Sequence, residues 1–196
     1  MESVLALATF VFVVSITPGP NNLMLAASGV GFGLRRTVPH MAGIWVGFLL
    51  LLVVCGLGLG ALVMEHAAAA LTLKLAGTGY LLYLAWTLRA SPSLDAVGTS
   101  GRPMSFVGAA LFQFANPKGW LAGITMVSAF LPSLGSGWSA LALLCLVACV
   151  VNLPCIWSWA LLGATIRTRL HDPRWRRGFS TVMVLLTLYT AAAIWL

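Results

Sequence analysis

Between Glu2 and Arg35 the chain carries no charge, and the stretch is apolar except at its middle, where residues 16–23 read ITPGPNNL. A helix needs about 20 mostly apolar residues to cross a bilayer, and residues 3–34 supply them on both sides of this interruption. A proline inside a helix removes a hydrogen bond and costs about 3 kcal/mol or more. In hydrocarbon the freed backbone groups are costlier still unless protein or water satisfies them. Such a break survives where it lines a cavity. The first segment therefore predicts a membrane helix broken on purpose.

The rest of the chain agrees. Of 196 residues 60% are hydrophobic and 8% are charged, far from the roughly 25% charged residues of a soluble domain. Six segments qualify as spans: about 3–34, 38–64, 67–88, 104–132, 138–164 and 178–196. The net charge of +7 would suit nucleic acid only as a basic face on a soluble fold; here the basic residues fall between apolar segments, and no nucleic-acid partner is expected. The N-terminal segment lacks a basic start and a small-residue cleavage site, so it reads as a span rather than a removable signal.

Arg35 and Arg36 follow the first segment, Arg89 and Arg102 the third, and Arg167, Arg169, Arg174, Arg176 and Arg177 the fifth. Against these nine arginines the other side offers Lys74, close enough to a span end to snorkel. The positive-inside rule places the arginine side in the cytoplasm and both termini outside. The run RTRLHDPRWRR also has the composition of a site for a partner or anionic lipid.

The fourth segment is interrupted too, at Asn116-Pro117-Lys118-Gly119. Pro18 and Pro117 are 99 residues apart, about half the chain. The expected fold class is an all-α membrane protein of six transmembrane helices in two inverted three-helix repeats, residues 1–98 and 99–196, with the first and fourth helices broken. Three spans per half force the second half to insert upside down, and paired breaks at matching positions are the best sequence pointer to a transport site near the midplane. A tolerated proline kink would explain one break but not Pro18-Gly19-Pro20 with two asparagines and a buried lysine.

Thr17, Pro18, Gly19, Pro20, Asn21, Asn22, Asn116, Pro117 and Lys118 are the candidate substrate-binding residues, with Asn152 from a milder Asn152/Pro154 break in the fifth span. Pro20 suits the first turn of a half-helix whose free N–H groups and positive dipole end attract a carboxylate. Asn21 and Asn22 add neutral donors and acceptors. Lys118 is the one formal charge deep in a span, a functional candidate by default. Its alternative is structural, an ion holding the broken segment's carbonyls. Together these groups fit a small zwitterionic amino acid.

The acids Glu2, Glu65, Asp95 and Asp172 lie at span ends or in loops, so proton coupling would run through Lys118 or His40, the latter expected in the interface. Gly43-x-x-x-Gly47 and Gly56-x-x-x-Gly60 fit close helix contact, within the monomer or in a homo-oligomer. Cys55, Cys145, Cys149 and Cys155 show no metal spacing and no C-x-x-C pair. A metal-ion or other small-solute exporter and a membrane thiol-redox protein are the alternatives; the first wants acidic or histidine ligands within the spans, the second a reactive thiol pair at the water boundary. Tyr80, Tyr83, Trp86, Trp120, Trp138, Trp157 and Trp159 include expected interface anchors. Nothing assembles a nucleophile with a base, and neither a catalytic residue nor a cofactor is expected.

Thr17-Pro18-Gly19-Pro20-Asn21-Asn22, with Asn116-Pro117-Lys118, the length and the six-span pattern, resembles the LysE/RhtB family of bacterial amino-acid exporters over the whole chain. The resemblance implies efflux of small amino acids or derivatives, of the cysteine, O-acetylserine, homoserine or threonine type, across the inner membrane. It also puts the residues from Pro18 to Asn21 and from Asn116 to Lys118 at the family's motif positions. The fifth span lacks an acidic residue, which favours neutral substrates.

Topology reporters are expected to place residues 165–177 in the cytoplasm and both termini outside. A cytoplasmic signal from a full-length C-terminal fusion would overturn both the orientation and the number of spans.

Overall fold

A residue that precedes proline is pushed out of the α region into extended backbone, and this one rule locates both breaks. Thr17 (φ −68°, ψ 148°) precedes Pro18 and Gly19 (φ −171°, ψ 171°) precedes Pro20, so two extended residues separate α1 (Glu2–Ile16) from α2 (Pro20–Phe32). The two helices meet at 53°. Asn116 (φ −94°, ψ 104°) precedes Pro117 in the same way. Pro20 and Pro117 each become the first residue of the next helix, where the missing N–H is no loss.

The structure is a computed structural model that describes residues 1–60, 65–90 and 102–195. Gly33, at φ 78°, turns the chain from α2 into α3 (Leu34–Gly56) in a single residue, a conformation costly for any side chain. α4 (Ala67–Ala90) follows. The second half starts with α5 (Phe106–Phe112), whose Ser105 cap accepts from the Gly108 N–H, and a 3-10 turn (Gln113–Ala115). Then come α6 (Pro117–Thr125), a π-helical turn (Met126–Phe130), α7 (Leu131–Leu134), α8 (Gly137–Ile166), a second 3-10 turn (Arg167–Arg169) and α9 (Pro173–Ala193). No strand occurs among the described residues.

The fold is all-helical and membrane-embedded. Helices Leu34–Gly56, Ala67–Trp86 and Gly137–Arg169 are long and apolar enough to cross a bilayer, and α1 with α2 makes a fourth span if the bent pair counts as one. The segment expected over 104–132 is interrupted at Asn116, where the sequence puts its break, and neither α5 nor α6 is by itself long enough to cross. The end of the span expected over 38–64 lies outside the described residues. α9 starts at Pro173 rather than 178, which takes Arg174, Arg176 and Arg177 into the helix and dilutes its apolar content. The expected Asn152/Pro154 break is absent: α8 runs through Pro154 as one helix. The boundary expected between residues 98 and 99, and Asp95, lie outside the described residues.

Helices associating in lipid gain little from the hydrophobic effect and rely on close packing at small residues. α2 crosses α8 with Gly29 against the Ala160 carbonyl and Gly163 against the Ala26 carbonyl; a Cβ at either glycine would collide with backbone. α3 lies against α5 through Gly43 at the Phe106 carbonyl and Gly47 at Ala110. Gly56 is covered by Leu141, and Gly60 packs beside Ile124 and Cys55. Both glycine pairs read from the sequence are thus contacts inside the monomer. α1 also packs on α8, α6 on α3, and α9 on α4. Buried clusters around Leu23, Leu81 and Met183, around Leu7, Leu52 and Leu144, and around Leu25, Ile44 and Ile156 fill the spaces between.

Gly163→Ala is expected to lower the thermal unfolding midpoint in detergent by the equivalent of about 1–3 kcal/mol, because the methyl must displace backbone. Gly79→Ala on α4, where a Cβ meets nothing within 4 Å, is expected to be neutral or stabilising by up to about 1 kcal/mol. Equal effects at the two positions would remove close approach as the reason for Gly163.

Candidate functional site: a cavity between two broken helices

Breaking α1 from α2 strands the last carbonyls of α1, and each carbonyl from Val13 to Gly19 has a donor. Val13 O accepts from the Thr17 N–H (3.2 Å) and Val14 O from the Thr17 hydroxyl (3.0 Å). The Asn22 side-chain amide reaches back to Ser15 O (2.7 Å) and Thr17 O (2.8 Å). Ile16 O accepts from the Trp159 indole on α8 (3.1 Å), and Gly19 O accepts from the Leu23 N–H (3.0 Å). The remaining donor is Lys118. Its ammonium donates to Thr17 O (3.0 Å), Thr17 Oγ1 (2.9 Å) and Pro18 O (3.0 Å), one acceptor for each of its three protons. The contact seen is therefore the structural one: a cation from the second break holds the carbonyls of the first. Gly19 leaves room for it, since a Cβ there would lie 2.9 Å from Lys118 Cδ and 3.0 Å from Nζ.

The second break is closed more locally. Asn116 Oδ1 caps α6 by accepting from the Lys118 N–H (3.1 Å), and Phe114 O accepts from the Trp120 indole (2.9 Å). Across the two breaks Asn21 and Gln113 form a reciprocal amide pair: Asn21 Nδ2 donates to Gln113 Oε1 (2.6 Å) and Gln113 Nε2 to Asn21 Oδ1 (3.3 Å). Gln113 is fully buried and donates also to Ala109 O (2.9 Å).

Between the breaks lies a cavity of about 50 Å³. A water needs roughly 10–15 Å³, so the site as it stands has room for a few waters. Gly19, Pro20, Asn21, Asn22, Asn116, Lys118 and Asn152 line it, with Ser15, Gln113 and an apolar wall that includes Ile44, Phe48 and Ile156. The lining has one cation and no carboxylate. Asn152 donates to Ser15 Oγ (3.0 Å), while its own carbonyl oxygen is buried without a partner among the described residues. α2 starts with no side-chain cap, unlike α6, so the positive end of a 13-residue helix opens where Gly19 to Asn22 line the cavity.

Of the residues expected at the site, exposed Thr17 and half-buried Pro18 do not line the cavity and act as the acceptors of Lys118. Pro117 is turned away: it packs on Gly77 and borders a small separate pocket with Lys74 and Trp120. Gln113, Ser15 and Trp159 were not singled out as site residues. A glutamine in the otherwise apolar run before Asn116 was the available signal for the first; the other two come from elements whose position the sequence does not show. Trp120 and Trp159, expected among interface anchors, instead donate to the stranded carbonyls Phe114 O and Ile16 O. His40, expected in the interface, is 2% exposed within the bundle, and neither ring nitrogen has a partner among the described residues. Packing of the Thr37, Met41 and Ile44 face of α3 against its neighbours carries the ring inward. Lys74 sits over the Trp195 ring at 5.6 Å. The four cysteines are free and buried, and among the described residues no group of three or more His, Cys, Asp or Glu gathers.

Two broken helices that meet over a polar cavity inside a membrane bundle have the architecture of a translocator. The LysE type translocator family matches residues 12–195, and the chain belongs to that family. Proteins named cysteine/O-acetylserine efflux protein from Escherichia coli strain K12, Escherichia coli O139:H28 and Shigella flexneri are each 31% identical to it over 191 residues. The matches cover 95% of this chain and 94% of each relative. No solved structure matches the chain.

Removing one amide of the Asn21–Gln113 pair strands the other, at about 1–3 kcal/mol. Asn21→Leu and Gln113→Leu are each expected to destabilise the protein by that order in detergent unfolding. The double variant is expected to cost clearly less than the sum, and strict additivity would show that the pair is not formed.

Proposed function

We propose that this protein exports small neutral amino acids or their derivatives, of the cysteine, O-acetylserine, homoserine or threonine type, across the bacterial inner membrane through the cavity between its two breaks. The observation that carries the reading is the junction of Lys118 with Thr17 and Pro18 beside that cavity. A zwitterion needs a partner for each charge. The Lys118 ammonium and the uncapped start of α2 suit the carboxylate. The unpartnered Asn152 oxygen and the freed carbonyls suit the ammonium group. A lining without an acidic side chain disfavours cationic substrates, and the names of the relatives point to the same substrate class.

Small as it stands, the cavity fits a closed state. Substrate entry then requires the breaks to separate, and the substrate carboxylate replaces carbonyl oxygens around Lys118. The exchange trades one set of acceptors for another, so the ammonium is never left bare in a low-dielectric site. Proton coupling runs through the same ammonium or through buried His40. We read residues 1–98 and 99–196 as inverted repeats with termini in the periplasm. Reciprocal packing supports this: α1 and α2 lie on α8, α5 and α6 lie on α3, and α4 lies on α9. Rocking of one half against the other gives alternating access.

Cells that overproduce the protein are expected to release one of these amino acids and to tolerate it better, and proteoliposomes to show its counterflow. Lys118→Ala is expected to insert but to lose at least about tenfold in counterflow, the loss of a buried charge partner being of order 3–5 kcal/mol. Lys118→Arg keeps the charge in a planar fork that does not reproduce a compact ammonium, and retains weak activity. Wild-type counterflow by Lys118→Ala would leave Lys118 a purely structural role. Export of an inorganic ion with no amino acid would replace the proposal by the metal alternative.

A further inference from the structure

From the arginine-rich end of the bundle to Trp159, α8 and α9 leave a groove of about 520 Å³ between them. Trp159, Leu162 and Ile166 form one wall, spaced as one face of α8. On the other side Trp175, Gly178, Phe179, Val182, Met183 and Leu186 follow i, i+3, i+4 spacing along one face of α9, and Arg174 stands at the mouth. From Arg174 to Leu186 the helix rises about 18 Å at 1.5 Å per residue. Half of a hydrocarbon core of about 30 Å is a similar length. The groove thus runs from a charged end to about mid-bilayer, the span of one acyl chain.

The mouth is basic. Arg174 lines it within a stretch, residues 167–177, that carries five arginines and one acid, Asp172, which is engaged as the cap of α9 by accepting from the Arg174 N–H (2.7 Å). Arg169 stacks on Trp175 at 5.1 Å, which holds that ring at the rim. Tryptophan and arginine at a membrane boundary suit the headgroup level, and an arginine fork matches a phosphodiester bidentately. A zwitterionic headgroup would bring a second cation into this field. We propose that the groove between α8 and α9 is a binding site for one anionic phospholipid, its acyl chain along Trp175 to Leu186 and its phosphate at Arg174.

Native mass spectrometry of the detergent-purified protein, offered phosphatidylglycerol or phosphatidylcholine with identical acyl chains, tests this. Wild type is expected to retain the anionic lipid by roughly fivefold or more over the zwitterionic one. Arg174→Gln should bring that ratio towards one while a chain is still held. Gly178→Leu adds a side chain at the groove wall from a position where the new Cβ meets nothing within 4 Å. It should reduce retention of both lipids while the unfolding midpoint without added lipid matches or exceeds wild type. Equal retention of the two lipids by wild type, or unchanged retention by both variants, overturns the proposal. So does a dimer that Gly178→Leu dissolves, which would make a second copy the occupant.

Discussion

The structure depends on how the carbonyls freed at Thr17-Pro18-Gly19-Pro20 find donors inside a bilayer. Water would satisfy them at once on a soluble surface. Within hydrocarbon each needs a protein group, and here the donors come from three places: Asn22 on α2, Trp159 on α8 and Lys118 on α6. One local break therefore ties together the first segment, the second break and the long helix of the other half. The cost of interrupting a membrane helix becomes the force that positions the tertiary structure.

The same requirement produces a site. Donors that reach across from other elements can be exchanged for a ligand, whereas bonds within a helix cannot. Lys118 donates to three oxygens, the contacts that the proposed export would exchange for a carboxylate, and Asn152 keeps one oxygen unmatched among the described residues at the cavity wall. The second break is built differently. Its Asn116 cap and Trp120 indole settle it locally, so the first break is the one that carries the exchangeable bonds. This asymmetry suits a transporter in which one broken helix moves against a firmer partner.

Glycines set the frame around that site. Where Gly29 and Gly163 let α2 and α8 touch backbone to backbone, Asn152 and Trp159 on α8 are brought to the end of α1. Where Gly43 and Gly47 bring α3 onto α5, Gln113 is delivered to Asn21. Close packing is the means of association open to helices that share an apolar solvent, and it fixes the polar groups to within hydrogen-bond tolerance.

Much of this was legible without coordinates, because proline acts on its immediate neighbours. Thr17, Gly19 and Asn116 are extended since each precedes a proline, and the absence of charge between Glu2 and Arg35 commits the segment to lipid. The breaks, the candidate asparagines and the isolated Lys118 follow from local chemistry of that kind. At Pro154 the rule ends no helix, since α8 continues through it, so of the two readings, a milder break or a packing kink, the break is not formed. Partnership is what sequence alone left open. Whether Lys118 faces a ligand or the carbonyls of Thr17 and Pro18, whether Trp159 meets lipid or Ile16, and whether His40 lies in the interface or the bundle all depend on which helix stands beside which. That choice is made by contacts between residues about 90 to 145 positions apart, and only the packed tertiary structure decided it.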